Sequence, residues 1–85
     1  MTELTSEQWD NLSSIDLNSI IKYKDESYKV VNKSTSSFGN FIYIQKIPDD
    51  GKKYNLFLIL KNKRLDFHML GSFNVTISYS DIEIL

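Results

Sequence analysis

From Ile20 onward the apolar residues of this chain recur mostly in twos, whereas its first dozen residues follow a different pattern. Thr5 and Gln8 have the spacing of a capping box, and Leu4 and Trp9 occupy the two positions of a hydrophobic staple. Glu7 falls in the first turn, where it complements the helix dipole. Trp9 and Leu12, three apart, share a face. Together they predict a helix over residues 5–13, ending near Ser13-Ser14. Two turns of helix do not repay the nucleation cost alone. The helix is therefore expected to act as a lid on an open end or edge of a sheet, anchored by Trp9.

The remainder reads as short strands. Ile20 to Tyr23 and Ser27 to Val31 flank Lys24-Asp25-Glu26, a tight hairpin. Residues 33–40 are rich in serine and read as a loop by composition. Phe41 to Ile47 alternates and then meets Pro48-Asp49-Asp50-Gly51, a strong turn. Tyr54 to Leu60 is apolar on both faces except at Asn55, which predicts the most buried strand. Lys61 to Arg64 turns the chain. Leu65, Phe67 and Met69 point inward in the next strand, with Asp66 and His68 on its polar face. Phe73, Val75, Ile77 and Tyr79 form one face of the last long run, ahead of a single 3₁₀ turn and a short closing strand.

The expected fold is mainly β. It is one domain holding a small curled antiparallel sheet or barrel of five to six strands over residues 19–85, capped by the helix. The order of parts resembles the small SH3-like barrels. Ile21-Lys22-Tyr23-Lys24 leading to Tyr28-Lys29-Val30-Val31, and the ending from Val75 to Ile84, carry that resemblance. It implies that a strand, one helical turn and a last short strand close the sheet. The aromatic and acidic signature of the peptide-binding SH3 domains is missing, so their proline-rich ligand does not carry over.

Composition narrows the function. The 85 residues include no cysteine, which excludes a disulfide framework, a thiolate metal site and thiol catalysis, and points to a reducing, cytoplasmic setting. No apolar run approaches a membrane span, and the first residues lack the pattern of a signal peptide. Three glycines leave no room for a phosphate-binding loop. Asp49 and Asp50 read as turn formers, because no calcium-loop spacing follows them. His68 and Asp66 are neighbours on one strand face, but no nucleophile can be nominated beside them. We therefore expect no enzyme activity, no cofactor and no metal.

Charge is the remaining asymmetry. Residues 1–28 carry six acids and two bases, residues 29–64 eight bases and two acids, and the rest three acids. Two functional readings follow. In the first, the chain is a non-catalytic protein-binding module: an adaptor, inhibitor or assembly subunit, of the size and composition expected of a viral or accessory protein. It would dock through a strand edge or through the 33–40 segment, with Phe38, Lys33 and Asn40 as partner-binding residues. In the second, Lys46, Lys52, Lys53, Lys61, Lys63 and Arg64, with Tyr43 and Tyr54, follow a nucleic-acid strand. The acidic helix and basic middle also permit self-association.

Overall fold

The capping box forms as its spacing predicts: the Gln8 amide donates to Thr5 Oγ1 at 3.1 Å, and the Thr5 amide donates to Gln8 Oε1 at 3.0 Å. Helix α1 spans Ser6–Ser13. The computed structural model describes residues 3–72 and 74–85, and among these it contains α1, seven strands and one 3₁₀ turn. The strands are β1 (Ile20–Tyr23), β2 (Glu26–Ser36), β3 (Gly39–Ile47), β4 (Tyr54–Ile59), β5 (Arg64–Met69), β6 (Asn74–Ile77) and β7 (Ile82–Ile84). All pair antiparallel in one sheet of order β6-β5-β4-β3-β2-β1-β7. The count exceeds the five to six expected because three-residue β7 pairs fully with β1, through Ile21↔Ile84 to Tyr23↔Ile82.

The sheet curls into a half-barrel. In a flat sheet β1 and β5 would stand about 19 Å apart, four strand spacings. Here the rings of Tyr23 on β1 and Phe67 on β5 lie 4.6 Å apart, with Tyr28 and Tyr54 also packed around Phe67. The 3₁₀ turn (Tyr79–Asp81) and β7 follow β6 in the order the SH3-like resemblance implies. The curl stops short of a closed barrel, leaving β6 and β7 as its edges.

Strand pleating sends Val30, Ile42, Ile44, Leu56, Leu58 and Leu65 to the inner face, where all are buried. One end of the curl is closed by the N-terminal segment. The Leu4 amide donates to the Lys63 carbonyl (2.8 Å), Asn40 Nδ2 donates to Ser13 Oγ (3.0 Å), and Lys33 Nζ donates to the Ile15 carbonyl (2.9 Å). Leu12 is 0 % exposed, and Leu4 and Ile15 are buried beside it. Trp9, expected to be the anchor, packs against this cluster only partly buried. Leu12 holds the helix instead, because its side chain points into the end of the curl.

One expectation fails in an instructive way. Residues 33–40 are not a loop. β2 runs on to Ser36 and β3 begins at Gly39, in register from Lys33↔Ile42 to Ser36↔Gly39, with a bulge between Val30 and Asn32. Serine and threonine side chains compete for the backbone most effectively where it lacks ladder partners, and here Ser34, Thr35 and Ser36 are each opposite a β3 residue, which leaves only Ser37-Phe38 as the turn. Of the residues expected to form one apolar face, Ile77 is buried but Val75 is 48 % exposed because β6 is an edge strand. Phe73 lies outside the described residues. The tight β1–β2 turn holds: Lys24 (φ 50°) and Asp25 (φ 62°) both take positive φ, the geometry of a type I′ hairpin. No described helix is long and apolar enough to cross a membrane.

Gly39 fixes how closely β3 approaches β4. A Cβ there would stand 1.9 Å from the Leu58 carbonyl oxygen, and its φ is +154°. Gly39→Ala must push the strands apart, costing on the order of 2 kcal/mol. At roughly 4–8 °C per kcal/mol for a domain of this size, the thermal midpoint should fall by about 10 °C. A midpoint within 2–3 °C of the parent (by the same scaling) would show that the approach is not strained.

Candidate docking surface

The N-terminal segment closes one end of the inner face, and among the described residues no second layer covers the outer one. Register sets Ser34, Phe41, Phe57, Asp66 and Thr76 in one row across β2 to β6, and Tyr43, Asn55, His68 and Asn74 in the next. Half of this face is sealed by polar groups that satisfy one another. Asp66, expected on the polar face of its strand, is there but only 1 % exposed. Arg64 grips its carboxylate with Nε (3.0 Å) and Nη2 (3.3 Å), and Thr76 Oγ1 donates to it at 2.9 Å. His68 Nδ1 donates to Asn55 Oδ1 at 2.9 Å. The two residues thus bond different cross-strand neighbours and form no acid–base dyad. Among the described residues, no buried side-chain polar atom lacks a partner.

The other half is apolar. The rings of Phe41 and Phe57 stack with centroids 4.3 Å apart and planes 10° apart, and Tyr43 lies parallel to Phe41 at 6.1 Å. Phe38, Ile59 and Leu60 continue this surface, around a cleft of about 600 Å³. Phe38 is 75 % exposed, yet its backbone is held on both sides. Its amide donates to Ser36 Oγ (3.2 Å), and its carbonyl accepts from the Leu60 amide (2.9 Å). A second cleft, of about 420 Å³, lies further along the same face. Its floor is Tyr43 and Gln45, between Val31-Asn32 at the bulge and Lys52-Lys53 of the β3–β4 loop.

The sequence-predicted residues are thus distributed unevenly. Phe38 stands at the tip of the apolar face. Lys33 and Asn40 face away from it and clamp the helix segment. Of the basic set, Lys46 lies between Glu26 (3.6 Å) and Asp50 (4.0 Å), and Arg64 is committed to Asp66. Tyr54 is buried and donates its hydroxyl to Asp50. Lys52 and Lys53 stand at one end of β4, and Lys61 and Lys63 at the other. Tyr43 alone of the two tyrosines reaches the surface. Phe41, Phe57, Ile59 and Leu60 were missed as site residues. For Phe57, Ile59 and Leu60 the signal was present in the two-sided apolar run from Tyr54 to Leu60, which was taken to mean burial on both faces, and for Phe41 it lay in the alternation of β3.

Compared with protein-family models, curated proteins and solved structures, the chain shows no significant match to any.

The Tyr54–Asp50 hydrogen bond ties the β3–β4 loop to the sheet and has a pH signature. It lowers the Asp50 pKa below the ordinary carboxylate value and pushes Tyr54 up to about 12. A raised tyrosine pKa contributes stability that is complete below about pH 10 and lost as pH rises through the folded value. The depressed Asp50 contributes stability present above about pH 4 and lost as pH falls through its folded value. Urea midpoints should therefore decline between about pH 10 and 12, and less so in Tyr54→Phe. An identical alkaline decline in the variant would show that this bond contributes nothing.

Proposed function

We propose that this chain is a non-catalytic protein-binding module that docks a partner through the outer face of its sheet, with Phe38 as the anchor. The observation that carries the reading is the pairing of high exposure with a fixed backbone at Phe38. A large apolar side chain whose backbone is already fixed spares the cost of ordering a loop on binding, which is one way interface anchors gain affinity. The cleft beside it gives a partner side chain an apolar floor of stacked rings. A chain without cysteines fits a cytoplasmic adaptor, inhibitor or assembly subunit.

Nucleic acid is the second reading, supported by Lys52 and Lys53 beside Tyr43 and by Lys61 and Lys63 at the far end of β4. Ring geometry makes it the weaker one. Parallel rings 4.3 Å apart must lie face to face, so Phe41 and Phe57 cover faces that bases would need. A nucleic-acid complex would lose affinity steeply with salt, and an apolar anchor would not.

Phe38→Ala tests the choice. Its thermal midpoint should stay within a few degrees of the parent, since the side chain is mostly outside the core. Capture of a discrete protein from the lysate of its native cells should drop at least tenfold, by the order of an anchor residue's contribution. Titration of that purified protein against both forms should reproduce the difference. Unchanged capture, or recovery of nucleic acid in place of protein, contradicts the reading.

A further inference from the structure

The two clefts of the outer face are neighbours. Phe41 lines the apolar cleft, Tyr43 lines the one beyond it, and the two rings lie parallel 6.1 Å apart. Lysines stand at both ends of the resulting strip: Lys52 and Lys53 at the Tyr43 end, and Lys61 at the Phe38 end. The carboxylates nearby are already engaged. Asp49 accepts the Gly51 amide at 2.9 Å, and Asp66 is enclosed by Arg64 and Thr76. The strip is therefore apolar along its middle, carries Lys61 at one end, and at the other carries Lys52 and Lys53, which outnumber the single Asp49 carboxylate that lines the same cleft.

Resting on the docking reading above, we propose that the occupant is an extended, acidic segment of a partner protein carrying one large apolar side chain. The apolar side chain fills the cleft between Phe38 and Phe57. Carboxylates on the segment meet Lys61 on one side and Lys52-Lys53 on the other. Eight strand steps separate Lys53 from Lys61, about 26 Å, which an extended stretch of about eight residues spans. A helix would need about seventeen residues for the same reach. Exposed ion pairs contribute little affinity each, so the apolar anchor supplies binding strength while the lysines set orientation and reject basic segments.

The test is an amide-shift titration of the ¹⁵N-labelled full chain with four probes. Three are nine-residue synthetic peptides: one with a central phenylalanine flanked by glutamates, one with lysines replacing the glutamates, and one with serine replacing the phenylalanine. The fourth is a twelve-nucleotide oligothymidine. The acidic phenylalanine peptide should shift Phe38, Leu60, Lys52 and Lys53 together and bind at least tenfold tighter than either altered peptide, the size of effect one good contact carries. The double variant Lys52→Glu with Lys53→Glu should reverse the preference between acidic and basic peptides while leaving the rest of the spectrum in place. Equal binding of acidic and basic peptides at the Phe38 end would overturn the acidic specificity and leave the apolar docking reading standing. No shift at Phe38 with any phenylalanine peptide would overturn both. Tighter binding of the oligonucleotide at the same lysines would overturn both in favour of nucleic acid.

Discussion

A two-faced sheet with one covering layer is the constraint on which the molecule depends. Seven strands carry apolar positions on both sides, and among the described residues the segment that covers a face is the one that ends at Ile15. Leu4, Leu12 and Ile15 cover the inner side, and the curl that brings Tyr23 onto Phe67 completes the burial there. Among the described residues, no layer covers the outer side. Chain economy in a domain this small makes such a deficit normal, because surface falls more slowly than volume as proteins shrink.

The outer face answers the deficit in two ways. On β5 and β6 it uses polar groups that close on themselves. Asp66 sits where an unpaired carboxylate would be costly, and the Arg64 fork and Thr76 hydroxyl satisfy it there. On β3 and β4 it uses aromatic stacking, in which Phe41 and Phe57 hide part of each other's surface. Neither device reaches the tip of the β2–β3 hairpin, so Phe38 and Leu60 remain outside. The same close approach at Gly39 that locks the hairpin to β4 keeps these residues in one place. Exposure and rigidity thus have a common origin.

Most of this architecture was legible in the sequence. Thr5 and Gln8 announce the helix start, Lys24-Asp25 the first hairpin, and the alternation of Leu65, Phe67 and Met69 the face of β5. What could not be read was cross-strand: the partner of Asp66 is Thr76, ten residues away, and no local spacing reveals it. The Ser34 to Ser36 stretch was misread because side-chain composition was weighed without knowing that β3 would supply ladder partners. Within the candidate surface, Phe38 was identifiable as an isolated apolar residue among serines. Its neighbours Phe41, Phe57, Ile59 and Leu60 were hidden in strands whose second face had no cover. Lys33 and Asn40, close to Phe38 in sequence, serve the helix because bonding the Ile15 carbonyl and the Ser13 hydroxyl turns them away from it.

The central claim is that Phe38 is presented on a fixed turn rather than carried on a flexible one. Backbone ¹⁵N relaxation of the free protein measures this directly at the Phe38 and Leu60 amides. The account predicts order parameters like those of the β3–β4 ladder, about 0.85. Values below about 0.6 at these two positions, with the ladder itself rigid, would contradict it.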